Sequence, residues 1–181
     1  VYQKLRELIR DGELGEIKRT NWIITSWYRS QSYYDSGGWR ATWKGEGGGV
    51  LLNQDPHQLD LWQWCCGMPN RLRAFCYFGK FHDIEVEDDV TAFVEYPNGA
   101  TGVFVTSTGD APGTNRLEVT GDRGKIVIED GRIRFSRLRV SERLFNREYS
   151  GGFGSPECWE CEVPVNGIPT EHVGIMTNWV G

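Results

Sequence analysis

The sequence predicts an α+β fold: an open-faced, largely antiparallel β-sheet with helices on one face and no Rossmann unit. Three observations lead there. Helical and strand patterns come first and a run of hairpin signals follows, the order expected of a sheet with helices segregated to one side. Between residues 90 and 96 the side chains alternate, with Val90, Ala92, Val94 and Tyr96 on one face and Thr91, Phe93 and Glu95 on the other. No strand is followed by a GxGxxG turn and a helix, so a dinucleotide-binding unit has no place in the chain.

The elements can be read in order. Residues 1–17, VYQKLRELIRDGELGEI, set Leu5, Leu8 and Ile9 at helical spacing, and the glycines of DGELG close the helix. Residues 17–27, IKRTNWIITSW, are β-branched and aromatic and read as a strand. The polar, aromatic stretch 28–49 has neither period, and so long an irregular segment inside a domain points to function or mobility. Residues 57–67, HQLDLWQWCCG, form a short helix with Leu59, Trp62 and Cys66 on one stripe, Gly67 at its end and Pro69 beyond. Residues 70–80 are a strand, and 90–108 are two strands joined through Asn98-Gly99. Residues 116–140 add three strands separated by GDRG and EDG. The segment 150–181 is poorly patterned and is expected to end inside a helix.

Composition narrows the function. The 181 residues are 39% hydrophobic and 25% charged, as in an ordinary soluble domain. A net charge of −5 and the lack of a basic run argue against nucleic-acid binding. No apolar segment is long enough to span a membrane and no signal peptide is recognisable, so a cytoplasmic protein without a membrane partner is expected. The odd count of five cysteines argues against a disulfide framework and for reduced thiols. Cys158-Trp-Glu-Cys161 is one CxxC without a second pair, so no metal site is expected.

One stretch stands apart: GGGVLLNQDPHQLDLWQWCCG, residues 47–67. Asp55 is a preferred N-cap and Pro56 suits a first helical turn, so a helix starts there. His57 then sits where backbone N–H groups point outward and the macrodipole is positive. That field disfavours imidazolium, and a neutral imidazole is suited to accept a proton. Packing of His57 under the sheet explains the same residues equally well. The glycines allow backbone to approach a ligand or a neighbouring element closely.

GGGVLLNQDPHQLDLWQWCCGMP resembles the glycine–histidine signature of the Gfo/Idh/MocA oxidoreductases, the relatives of glucose–fructose oxidoreductase and inositol dehydrogenase. LIRDGELGEIKRT, YPNGATGVF and LEVTGDRGKIVIEDG are similar to that family too, so the likeness spans most of residues 1–165. The resemblance implies the C-terminal domain type of glyceraldehyde-3-phosphate dehydrogenase-like two-domain dehydrogenases. It implies that residues 1–181 are a substrate-binding and oligomerisation domain, a fragment whose N-terminal dinucleotide-binding domain lies outside the chain. It further implies NAD or NADP as cofactor, held mainly by that other domain, and a sugar, cyclitol or related polyol as substrate. His57 is the implied acid/base and Asn53 a substrate contact. Many family members carry aspartate where this chain has Asn53, and an amide orients a hydroxyl but cannot act as a base. Gly48 and Gly49 are implied neighbours of the nicotinamide, and His172 matches a histidine that some relatives place near the pocket. A homo-oligomer through the open sheet face is expected, and the fragment alone is expected to be inactive.

Further candidates precede the glycines. Tyr34, Trp39 and Arg40 combine aromatic faces and charge, as a pocket for a hydroxylated ring would use. Trp22 and Trp27 read as core strand residues, and His82 as part of a solvated turn. A non-catalytic sensing or assembly protein on the same fold is the competing function, since fold does not fix function.

Overall fold

The computed structural model describes residues 1–165. Its elements are α1 (Tyr2–Arg10), β1 (Ile17–Ile24), α2 (Gln31–Asp35), α3 (Val50–Asn53), α4 (Pro56–Cys66), β2 (Arg71–Phe78), β3 (Glu87–Glu95), β4 (Thr101–Ser107), β5 (Asn115–Gly121), β6 (Gly124–Glu129), β7 (Arg132–Leu138), α5 (Glu142–Glu148) and β8 (Cys158–Val163). The strands form one eight-stranded sheet in the order β2-β3-β4-β1-β5-β6-β7-β8. Each neighbouring pair is antiparallel except β1 and β4, which run parallel with Trp22 opposite Phe104. The sheet is thus the largely antiparallel one that the sequence predicts, and no Rossmann unit occurs among the described residues.

β1 lies near the middle of the sheet, between β4 and β5. Trp22 and Ile24 are fully buried, beside Phe104 of β4 and Leu117 of β5. The helices α1 and α4 cover this face, contributing Leu5, Trp62 and Cys65 to the core. Trp62 stacks on Phe104 with ring centroids 5.5 Å apart, while Trp22 meets Phe104 edge-on at 6.3 Å. Such pairs add about 0.5–1.5 kcal/mol beyond their burial. At the 98–99 turn, Gly99 adopts φ +85°, and Asn98 Oδ1 accepts the Ala100 N–H at 3.0 Å. That is the left-handed turn geometry which Asn-Gly favours.

The opposite face is uncovered and divided. Phe93, Val103, Asn21, Glu118, Val127 and Arg134 follow one another across it in register. On the β3–β4–β1 side the exposed residues include Phe93 and Ile23. On the β5–β7 side Arg116 pairs with Glu118 and Glu129, and Arg134 joins Glu129 at 2.9 Å. β2 is exposed along its whole length.

Besides α2, which lies within residues 28–49, two further elements fall in segments without sequence pattern. α5 buries none of its residues and starts at Ser141, whose hydroxyl accepts the Leu144 N–H at 3.2 Å. β8 pairs with β7 within the poorly patterned tail; it is largely exposed on both faces, so it carries no apolar alternation. Its geometry also separates the CxxC pair, because residues three apart on a strand point to opposite faces. No helix among the described residues is long and apolar enough to cross a membrane.

Candidate functional site

The glycine run brings the α3–α4 corner against the start of β3. A Cβ on Gly49 would lie 2.0 Å from the Glu87 carbonyl oxygen, so only glycine fits there without moving backbone. Glu87 returns a contact, its carboxylate accepting the Leu51 N–H at 3.3 Å. Gly49→Ala should therefore cost about 1–3 kcal/mol of stability as packed backbone is forced apart. Thermal unfolding checks this, and an unchanged midpoint would show that the corner relaxes freely. Gly48 and Gly49 are both buried, which gives Gly49 a packing role whatever ligand it faces.

α4 begins as the sequence predicts, with Pro56 at the first position and the Leu59 N–H bonded to the Asp55 carbonyl at 3.0 Å. Asp55 itself does not cap the helix with its side chain. The carboxyl turns into the core, fully buried, and accepts the Thr106 hydroxyl of β4. Its other oxygen has no hydrogen-bond partner, nor does the buried indole N–H of Trp27. Burial pushes the Asp55 carboxyl up to about 6, although Thr106 and the nearby Trp27 indole hold it down in part. The cap expected from sequence is thus replaced by a buried acid, because the β4 hydroxyl offers a partner within the core.

His57, next in line, is exposed in the first turn of α4. Asn53, at the end of α3, is exposed as well. Its amide donates to Glu46, and its Oδ1 accepts from Gln54 Nε2 at 2.7 Å. The other oxygen of Glu46 accepts the Ala41 N–H at 2.7 Å, so one carboxylate ties Asn53 to the loop beside Arg40. Glu46 escaped sequence reasoning, and its place immediately before the glycines was the available signal.

The loop holding the remaining candidates is clamped from the other side by an acidic run at the head of β3. Glu85 accepts the Trp43 N–H at 3.1 Å. Asp88, fully buried, accepts the backbone N–H groups of Lys80, Phe81 and His82 at 2.8–3.1 Å and meets His82 Nδ1 at 3.0 Å. The other His82 nitrogen reaches the Arg29 carbonyl at 2.8 Å. His82 is therefore a nearly buried tie between two loops, contrary to the solvated turn that its charged neighbours suggested. Carboxylates can be buried here because backbone N–H groups satisfy them.

Tyr34 belongs to this second cluster, packed with Ala41 and Val86, and its hydroxyl donates to Thr108 at 2.9 Å. Burial raises its phenol above the ordinary value. It supports the loop from within, whereas Trp39 and Arg40 reach its surface. Trp39 is 51% exposed, and the Arg40 guanidinium lies 4.6 Å from the centres of both the Trp39 and Tyr33 rings. His172 lies outside the described residues.

The chain thus combines an open sheet, helices on one face, and an exposed histidine in the first turn of α4 just after the glycine-led α3. The match to the GFO/IDH/MocA C-terminal domain model covers residues 2–127, and the chain belongs to that family. No curated protein matches it in sequence at a significant level. Among solved structures, it is 30% identical to the WlbA dehydrogenase of Chromobacterium violaceum in complex with NADH and UDP-GlcNAcA, with a TM-score of 0.64. That match covers 70% of this chain and 36% of the other. The Bordetella pertussis WlbA dehydrogenase, also with NADH and UDP-GlcNAcA, is 27% identical with a TM-score of 0.64, over 70% and 39% of the two chains. A levoglucosan dehydrogenase in complex with NADH shares the fold at 15% identity and a TM-score of 0.69, over 96% and 50%. The chain thus spans half or less of the length of each of these relatives.

Proposed function

We propose that this chain is the substrate domain of an NAD(P)-dependent oxidoreductase acting on a sugar, cyclitol or related polyol, with His57 as the acid/base. The observation carrying this reading is an exposed imidazole in the first turn of α4, four residues after an amide held in place by Glu46. The NADH-bound WlbA relatives support the cofactor assignment. The one glycine run among the described residues that leads into a helix, residues 47–49 before the four-residue α3, is packed against Glu87 at Gly49 and follows no strand, unlike a dinucleotide-binding turn. The dinucleotide is accordingly assigned to a separate domain, and residues 1–181 alone should not turn over substrate. The nicotinamide, when bound, exchanges hydride with the substrate carbon. His57 takes the hydroxyl proton in the oxidative direction, and Asn53 orients the substrate through hydrogen bonds. Steady-state kinetics of His57→Ala in the whole protein test the assignment.

We assign homo-oligomer formation to the open sheet face. Exposed Phe93 and Ile23 leave an apolar area in water, the kind of patch that marks an interface. Phe93→Asp should shift the protein toward monomer in light scattering, and an unchanged mass would remove this face from the interface.

A further inference from the structure

The irregular loop carries a stack of alternating aromatic rings and guanidinium groups that the acid/base site does not use. The Arg29 guanidinium lies 5.8 Å from the centre of the Trp27 ring and 5.1 Å from that of Tyr33. On the same Tyr33 ring sits Arg40 at 4.6 Å, and Arg40 in turn covers Trp39 at 4.6 Å. Trp27, Arg29, Tyr33, Arg40 and Trp39 thus form one ladder. Near its outer end, Arg40 adjoins Ala41, whose N–H shares the Glu46 carboxylate with Asn53.

Four features show that the ladder is built and that its two cations have no acidic partner among the described residues. Arg29 is fixed at its backbone, its N–H bonded to the Thr108 carbonyl at 2.9 Å and its carbonyl held by His82 at 2.8 Å. Arg40 is fixed at its side chain, one terminal nitrogen donating to the Tyr33 hydroxyl at 2.9 Å. Neither guanidinium pairs with a carboxylate among the described residues. The Nε of Arg29 is buried without a hydrogen-bond partner. One terminal nitrogen of Arg29 donates to the Tyr28 carbonyl at 3.0 Å and one of Arg40 to Tyr33, which leaves the second terminal nitrogen of each guanidinium to donate to a carboxylate or phosphate. A neutral polyol would be matched by mixed donors and acceptors. Two partly buried, donor-only cations on a single ring call for negative charge in a protein whose net charge is −5.

We propose that this ladder is an oxyanion subsite, and that the substrate is a sugar bearing a carboxylate or a nucleotide-linked diphosphate. The proposal rests on the sugar-oxidoreductase reading and sharpens its substrate class. Calorimetric titration of the whole protein tests it without requiring turnover. The probes are UDP-GlcNAcA, UDP-GlcNAc, D-glucuronate and the neutral myo-inositol. The charged ligands should bind at least about tenfold tighter than myo-inositol. Arg29→Gln and Arg40→Gln should each weaken them on the order of 10–100-fold and weaken the neutral ligand far less. Arg40→Lys should fall in between, since it keeps the charge and loses the fork; it also decides the matter if a Gln variant fails to fold. Tight UDP-GlcNAc with weak glucuronate places the diphosphate on the ladder, and the reverse places the carboxylate there. Equal affinity for charged and neutral ligands, binding by no probe, or unchanged affinity in the arginine variants would overturn the proposal. Unimpaired turnover in His57→Ala would instead overturn the acid/base assignment, with the binding comparison intact.

Discussion

His57→Ala in the whole protein is expected to lower kcat by about two to four orders of magnitude, the usual contribution of a positioned acid–base group. The loss should fall on kcat more than on KM, because the imidazole moves a proton and is not the main substrate contact. The fold should persist. His57 is exposed, and the start of α4 depends on Pro56 at its first position and on the Asp55 carbonyl receiving Leu59. Asn53→Ala should be milder, at about 0.5–1.5 kcal/mol, since it removes a hydrogen bond to the substrate rather than the base. Its effect should also depend on Glu46, which orients the amide. Circular dichroism and nicotinamide binding establish that each variant is intact before its rates are read. Turnover near that of the unaltered protein in His57→Ala would exclude the histidine as the base.

The sheet was legible because its signals are local. Alternation in 90–96 and the Asn98-Gly99 turn each report a physical requirement of one strand or one turn, and both appear where they were read. The parallel pairing of β1 with β4 is not local, and nothing within either segment encodes it. β8 was missed because an edge strand exposed on both faces needs no apolar period. At the site, the close backbone approach at Gly49 and the helix start that places His57 in a first turn were legible from glycine and proline preferences. The roles of Asp55 and His82 were not, since each depends on a partner that only the fold supplies: Thr106, 51 residues away, for the acid, and the Arg29 carbonyl, 53 residues away, for the imidazole. Charge misled the reading around residue 82. A run such as Glu-Val-Glu-Asp-Asp looks solvated until backbone N–H groups are found converging on it.

The buried Asp55 carboxyl should give the protein a stability that declines as pH rises from about 4 to about 6. In the unfolded chain this group releases its proton near the ordinary 3.8, whereas in the fold burial raises it to about 6. Between those values the native state holds more protons than the unfolded state, so raising the pH favours unfolding. The group's contribution is fully present below about pH 4, is lost progressively toward pH 6 and stays lost above it. Its size is at most about 3 kcal/mol, the free energy equivalent of that shift. Asp55→Asn keeps an oxygen for the Thr106 hydroxyl and removes the ionisation. The stability difference between the unaltered protein and the variant should therefore change steeply between pH 4 and 6 and be flat from 6.5 to 8. Urea midpoints at half-unit pH steps measure it. Thr106→Val gives an independent sign test. Without the hydroxyl that favours the ionised form, the carboxyl should titrate higher, and the decline should extend above pH 6. A difference that stays flat from pH 4 to 8 would mean that Asp55 ionises alike in both states, and that burial beside Thr106 does not set its proton affinity.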